Sequence, residues 1–395
     1  MLRGKHILVG ISGGIAAYKI PELIRLLKKE GADVCVCTTR NALQFVTPLT
    51  LETLSNNQVY SDVFAPHNNH QTEHISLPDW ADLMIIAPCT ANVIGKMAAG
   101  IADDALTTTF LAMLKPVLVA PAMNDKMLAH PAVQRNLNII AGYENTTVLD
   151  CDSGFLACGT TGKGRMQEPE DIVMAADILL EKKTLAGKRV LITAGPTQEK
   201  IDPVRYISNY STGKMGYALA YACLKRGAEV TLVSGPSSER FCGKTINVTS
   251  AKQMFEVCKA EFAQADITIL CAAVADYSPA TEAETKIKRN SGELNLKLQP
   301  THDIAAELGK QKTQNQLLIG FALETDNEEE NAIGKMQRKN LDYIVLNSLQ
   351  DKGAGFGCDT NKVTVFSQKG SKTSMPLASK QEIAASIIDI ISQDV

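Results

Sequence analysis

Lys188-Arg189-Val190-Leu191-Ile192-Thr193-Ala194-Gly195 repeats, close to the middle of the chain, the pattern of Lys5-His6-Ile7-Leu8-Val9-Gly10. Each begins with a pair of basic or polar residues, runs through consecutive apolar and β-branched residues and closes on glycine. A short run that does not alternate is a strand buried on both faces, as in a parallel sheet covered by helices. The echo continues downstream. Lys28-Lys29-Glu30-Gly31-Ala32-Asp33-Val34 is matched by Lys225-Arg226-Gly227-Ala228-Glu229-Val230, in each case a helix end, a glycine stop and a second strand. The spacing is far beyond a solenoid repeat of roughly 20 to 50 residues. Two α/β domains with the same opening topology follow, divided in the charged segment Glu181 to Lys188 and written as 1–185 and 186–395. The expected fold class is α/β: two doubly wound, mainly parallel sheets, the first flavodoxin-like or Rossmann-like and the second Rossmann-like.

Working outward, strands are expected at His6 to Gly10, Asp33 to Thr38, Ala81 to Ala87 and Pro116 to Ala120, with a helix from about Gly14 to Lys29. In the second half they are expected at Asp266 to Ala273, Leu317 to Ala322 and Asp342 to Leu346, with helices at Ala251 to Ala263 and Glu328 to Lys339. Gly353 to Asp359 reads as a loop.

Composition excludes several functions. With 40 basic and 43 acidic residues the net charge is -3, so no whole-chain field draws nucleic acid or an anionic membrane. The longest apolar runs, such as Leu83 to Pro88 and Ile267 to Val274, fall well short of the roughly 20 residues of a membrane span. The first residues lead into a strand rather than a signal-peptide apolar region, and a cytoplasmic protein is expected. Ten cysteines with no C-x-x-C pair read as small buried hydrophobes in a reducing compartment.

The loops carry the chemistry. Gly10-Ile11-Ser12-Gly13-Gly14 would offer backbone N–H groups at a helix start to an anion, and Cys37-Thr38-Thr39 ends the second strand on hydroxyls, not on a ribose-binding acid. A mononucleotide phosphate fits these features better than NAD does; a tight structural turn is the competing reading. Ser211-Thr212-Gly213-Lys214-Met215 lacks the first glycine and the hydroxyl of a P-loop. His67 and His70 read as solvated loop residues, whereas His74 leads into a structured segment and suits an acid/base or carboxylate-binding role. Cys158-Gly159-Thr160-Thr161-Gly162-Lys163-Gly164-Arg165-Met166 has too many glycines for a helix or a strand and reads as a mobile flap. The thiol at its start can serve as an acid, or be a surface thiol without function.

Taken together these motifs resemble the bifunctional phosphopantothenoylcysteine decarboxylase/phosphopantothenate-cysteine ligase family over essentially the whole chain. The N-terminal half is similar to the homo-oligomeric flavin-containing cysteine decarboxylases in Ser12-Gly13-Gly14-Ile15-Ala16, His74-Ile75-Ser76-Leu77, Pro88-Cys89-Thr90-Ala91-Asn92 and Pro121-Ala122-Met123-Asn124-Asp125-Lys126-Met127. Cys89 replaces the family's usual serine, and Leu128 an aromatic. The resemblance implies FMN near Ser12, Gly13, Thr38, Thr90, Ala91 and Asn92, with His74, Asn124 and Cys158 as the chemical residues. Direct loss of carbon dioxide from a cysteinyl carboxylate would leave an unstabilised carbanion. The resemblance implies oxidation at the carbon bearing sulfur, with FMN as the two-electron acceptor, to a thioaldehyde that accepts those electrons, and after decarboxylation the return of a hydride with a proton from Cys158.

The C-terminal half resembles the ligase in Ala194-Gly195-Pro196-Thr197, Asp202-Pro203-Val204-Arg205-Tyr206-Ile207-Ser208-Asn209, Ser211 to Gly216, Ala272 to Tyr277 and Lys286-Ile287-Lys288. The family activates phosphopantothenate with CTP as an acyl-cytidylate, which the amine of L-cysteine attacks, with Mg2+ and lysines neutralising the triphosphate. The resemblance implies CTP near Ala272, Asp276, Lys286, Asp303, Ile304, Phe321, Lys335 and Lys339, catalysis by Lys286, and Asn209 at the acyl intermediate; it assigns no metal ligands. Lys335 and Lys339 lie four apart on one helix face, which by itself reads as an ordinary solvated face. His302 stands where the family has proline, leaving the local turn open. The family also implies a homo-oligomer of trimeric flavoprotein units joined through dimeric ligase domains. Two rivals are a flavoprotein that regulates a partner protein, which leaves the ligase half unexplained, and an NAD-dependent oxidoreductase, which lacks the acid after strand two.

Overall fold

In the computed structural model the described residues are 2–64, 72–155, 161–288, 294–324, 326–348, 355 and 357–394. They form two compact units, Met1–Glu181 and Lys182–Val395.

The first unit is built on strands β1 (His6–Ile11), β2 (Asp33–Thr38), β3 (Val59–Tyr60), β4 (Leu83–Cys89), β5 (Val117–Pro121) and β6 (Thr146–Val148), with helices α1 (Ile20–Lys29), α2 (Pro48–Ser55), α3 (Glu73–Trp80), α4 (Ala91–Ala99), α5 (Ala105–Ala112), α6 (Asp125–Ala129), α7 (Pro131–Ala141) and α8 (Pro169–Leu180). The sheet order is β3-β2-β1-β4-β5-β6, parallel throughout. Alternate residues of β1 feed two cores: Ile7, Val9 and Ile11 pack on the α1 side with Leu23, Ile24 and Leu27, and Leu8 on the other with Ile94 and Leu106. Each fully buried Leu or Ile contributes about 1.5–3 kcal/mol, so the strands have to be apolar on both faces.

The helix expected over Gly14 to Lys29 is two pieces, a 3-10 turn at Ile15–Lys19 and then α1. Pro21 sits in the first turn of α1, the one place in a helix where its missing N–H costs nothing. A second correction concerns the segment after Cys158. Thr161–Arg165 is a strand, β8, paired antiparallel with β7 (Asp152–Phe155). Its glycines mark close backbone packing, not an inability to form a strand. Gly164 O accepts from Met123 N–H at 3.0 Å, and a Cβ at Gly164 would lie 2.3 Å from Met123 O.

The second unit repeats the plan with β9 (Arg189–Ala194), β10 (Gln198–Lys200), β11 (Tyr206–Ser208), β12 (Glu229–Ser234), β13 (Lys244–Asn247), β14 (Ile267–Leu270), β15 (Tyr277–Pro279), β16 (Leu298–Pro300), β17 (Leu317–Glu324), β18 (Tyr343–Ser348), β19 (Thr360–Ser367) and β20 (Lys372–Ser379). Its helices are α9 (Lys214–Lys225), α10 (Ala251–Phe262), α11 (Ile304–Gln311), α12 (Glu328–Arg338) and α13 (Lys380–Ile391). The main sheet runs β13-β12-β9-β14-β17-β18-β19-β20, parallel up to β18 and antiparallel in its last two strands. Among the described residues no helix is long and apolar enough to cross a membrane.

Candidate functional sites

In both units the chain leaves the central strand toward one side of the sheet and later returns to the other. The crevice at the carboxyl ends of β1 and β4, and of β9 and β14, is where such sheets bind ligands. In the first unit Ser12 is fully buried there. Its Oγ donates to Pro88 O at 2.7 Å and accepts from Thr90 N–H at 3.0 Å, joining the two strand ends. Thr90 is the N-cap of α4, with Ala91 and Asn92 in its first turn. Thr38 and Thr39 close β2 beside them, Thr39 N–H donating to Ile11 O at 3.0 Å. Both threonine hydroxyls are buried and have no hydrogen-bond partner among the described residues. A buried hydroxyl without a partner is costly, so this end of the sheet is made for a ligand that supplies acceptors. Gly13 lets this turn pack closely on the neighbouring loop, because a Cβ there would stand 2.5 Å from the Cβ of Asn41. These donors fit the phosphate end of FMN.

Around that crevice, His74 lies half-buried in the first turn of α3, and Asn124 is the N-cap of α6, its Oδ1 accepting from Lys126 N–H at 2.9 Å. The β7–β8 hairpin lies on Met123 to Asp125, with Gly162 against the Asp125 carboxyl. Glu168 pairs with buried Lys19 at 2.8 Å and with Arg165 at 2.7 Å, fastening the hairpin's end to the turn after β1. Cys158, His67 and His70 lie outside the described residues, as do residues 353, 354 and 356 of the Gly353 to Asp359 loop. Cys89 is wholly buried with its sulfur 4.0 Å from Met97 Sδ, and burial pushes its thiol up. Burial likewise pushes Cys151 up to about 11, with its sulfur against Pro121 O.

In the second unit a loop over Ala272 to Asp276 is pinned from three directions. Thr193 Oγ1 accepts from Ala272 N–H at 3.1 Å and Thr197 Oγ1 from Ala275 N–H at 3.0 Å, while Asn209 Nδ2 donates to Ala273 O at 3.0 Å. Thr301 N–H donates to Asp276 O at 2.9 Å, bringing the start of α11 alongside. Asp303 caps α11 through Ala306 N–H at 3.0 Å and pairs with Lys339 at 2.8 Å. Burial opposes its ionisation, but the Lys339 hydrogen bond, the Ala306 N–H and the charges of Lys339 and Lys335 together outweigh this and hold the carboxyl below its ordinary range. Lys335, half-buried, donates to Phe321 O at 3.0 Å. Burial and the neighbouring Lys339 depress its pKa, with Glu324, Asp276 and Asp303 opposing. Asp276, Asp303, Phe321, Lys335 and Lys339 are therefore one cluster, and the lysine pair is not a plain solvated face. The side chain of Ile304 is in the core, so only its backbone at the helix start can meet a ligand.

Gly309 on α11 touches the end of α12 so closely that a Cβ would lie 1.9 Å from Lys339 O, and Asn340 Nδ2 donates to Gly309 O at 2.8 Å. Lys286 is exposed and held in another way. Its neighbour Ile287 donates N–H to Asp202 Oδ2 at 3.1 Å and accepts from Arg205 Nη2 at 2.5 Å. Burial works against the Asp202 carboxylate, but the N–H groups of Val204, Ile287 and Arg205 and the Arg205 guanidinium hold it at about 2. In the sequence Thr193, Thr197, Asp202 and Arg205 stand only within strands and motifs, without a role, and nothing singles out Gly309 or Asn340. Asp202→Asn is expected to lower the thermal midpoint at neutral pH. A carboxyl depressed from about 3.9 when unfolded contributes stability above that pH and loses it as the pH falls toward the folded value. The gap between wild type and variant should thus close between about pH 4 and pH 2. A gap that is constant across that window would show that the charge of Asp202 is not what holds the loop.

The Flavoprotein family profile matches residues 1–180, and that of the DNA/pantothenate metabolism flavoprotein C-terminal domain matches residues 185–395. The coenzyme A biosynthesis bifunctional protein CoaBC of Bacillus subtilis (strain 168) is 47% identical over 398 residues, covering 99% of this chain and 98% of its own. The CoaBC of Escherichia coli (strain K12) is 44% identical over 397 residues, 99% of this chain and 97% of its own. A cysteine/cysteine sulfinic acid decarboxylase of an unknown prokaryotic organism is 53% identical over 351 residues, 87% of this chain and 98% of its own. With both profiles matched in order and relatives aligned from end to end, the chain belongs to the family of coenzyme A biosynthesis bifunctional proteins.

Proposed function

We propose that the second unit joins phosphopantothenate to L-cysteine with CTP through an acyl-cytidylate, and that the first decarboxylates the phosphopantothenoylcysteine with FMN to phosphopantetheine, in the cytoplasm. The observation that carries the flavin reading is the pair of partnerless buried hydroxyls on Thr38 and Thr39 beside Ser12. For the ligase it is the Lys335–Lys339 cluster, where an ammonium destabilised by burial gains most from an anion.

In the ligase half Lys286, Lys335 and Lys339 hold the triphosphate while the substrate carboxylate attacks the α-phosphorus and pyrophosphate leaves. Mg2+ would ride on the phosphate oxygens, since magnesium is usually held by one or two carboxylates and the substrate's own phosphates. Ala272 and Asp276 present the pinned loop to the nucleotide, Asp303 and the Ile304 backbone line its other side with Phe321, and Asn209 faces the acyl group. In the flavoprotein half Ser12, Gly13, Thr38, Thr90, Ala91 and Asn92 hold FMN, which supplies a two-electron acceptor and donor beside the substrate. His74 and Asn124 bind and orient the cysteinyl carboxylate, and Cys158 donates the proton that completes the product. Exposed Leu49, Leu114, Ile15 and Tyr18 support burial against further copies of the first unit, in keeping with trimers of that half joined by dimers of the other.

The test uses the purified chain with phosphopantothenate, L-cysteine and CTP. One pyrophosphate and one carbon dioxide should be released per phosphopantetheine, and the protein should carry a flavin absorption band. Cutting between Glu181 and Lys188, which separates 1–185 from 186–395, should leave an N-terminal fragment that keeps the band and decarboxylates supplied phosphopantothenoylcysteine. Carbon dioxide released from free cysteine or cysteine sulfinic acid without CTP would favour the activity named for the third relative instead.

A further inference from the structure

We propose that His302 is a nucleotide-contact residue of the ligase half, its ring forming a stacking platform that sets the affinity for CTP; this rests on the CTP reading above. Backbone on both sides of His302 is fixed to that cluster. Thr301 is tied by its N–H to Asp276 O and by its hydroxyl to Ala275 O at 2.6 Å, and Asp303 is tied to Lys339 at 2.8 Å. A side chain at position 302 therefore starts from a fixed point between two arms of the cluster.

Its ring is also fixed. The imidazole lies nearly parallel to the Phe255 ring of α10, centroids 4.8 Å apart and planes inclined by 20°. Phe255 packs on the core below, and Lys259 Nζ stands 5.9 Å from its ring centre. His302 is exposed, and among the described residues its ring nitrogens have no hydrogen-bond partner. A planar ring on an exposed residue is thus backed on one side by a half-buried ring packed on the core, an arrangement that can receive another planar group. Cytosine is such a group, and aromatic stacking is how proteins hold a base without reading its edge. A proline at this position, as the family resemblance implies, could not supply the platform.

The prediction separates the stack from the rest of the site. In the full chain His302→Ala should raise the KM for CTP about five- to tenfold with kcat unchanged, and Phe255→Leu, which keeps the core filled, should raise it by a similar factor. His302→Phe should keep the wild-type KM, since the ring is retained and only its nitrogens are lost. Lys339→Gln is the control for the site itself. If it weakens CTP and His302→Ala does not, the platform is overturned and the site stands. If neither changes the KM, the nucleotide lies elsewhere and the CTP reading fails with it. Loss of affinity in His302→Phe equal to that in His302→Ala would overturn stacking as the mode of contact.

Discussion

Lys286→Gln is expected to lower CTP-dependent pyrophosphate release by about 100- to 1,000-fold, the range for removing one donor aimed at a developing negative centre. Decarboxylation of supplied phosphopantothenoylcysteine is expected to proceed at the wild-type rate. Lys286 is exposed, and the clamp beneath it grips the backbone of Ile287, with both hydrogen bonds to Asp202 and Arg205 made by main-chain atoms. Glutamine at 286 therefore removes a charge and leaves the loop where it was. The two activities read out two different failures. Equal loss of both would mean that the variant misfolds, and undiminished pyrophosphate release would remove Lys286 from the triphosphate site.

Gly164→Ala is the counterpart in the other half and should reverse the pattern, with decarboxylation falling at least about 100-fold and ligation intact. The methyl group would stand 2.3 Å from Met123 O, a carbonyl belonging to the segment that presents Asn124. Neither backbone can give way alone, since Met123 N–H donates to Gly164 O at 3.0 Å. The hairpin has to lift from the surface on which it rests. A shift of about 1 Å between a catalytic group and its substrate is enough for a loss of that size. Rates of carbon dioxide and pyrophosphate formation on one preparation decide the matter. Unchanged decarboxylation would mean that the position of the hairpin does not control the proton donor.

The strands were legible because a strand buried on both faces leaves no choice of residue. β1, β2, β4, β5, β9, β12, β14, β17 and β18 fall where the apolar runs stand, within a few residues. The turn at Ile15–Lys19 was not, because Pro21 sets where the α-helix can begin and the apolar spacing continues through it. β8 was misread because glycine counts against a strand in isolation, whereas here the neighbouring chain needs the space. Site residues divide in the same way. Ser12, Thr90 and Asn209 stand in motifs that can be read from their sequence neighbours. Thr193, Thr197, Gly309 and the Asp202–Arg205 clamp work on backbone far along the chain, up to 85 residues away for Asp202 and Ile287. Such a pairing has no local signature.

Strand β20 closes the eight-stranded sheet, and it carries Pro376 just where its register with β19 slips. Proline offers no N–H, and a slipped register bends the strand away from a straight template. Lys372 adds a charge at the strand's start, salt-bridged to Glu329. The open rim of the largest sheet in the chain is thus poorly suited to zip onto the rim of another molecule. A protein that meets its own copies throughout synthesis gains from this, because contacts between copies then have to form through side-chain surfaces that can be matched, and not by open-ended growth of backbone ladders.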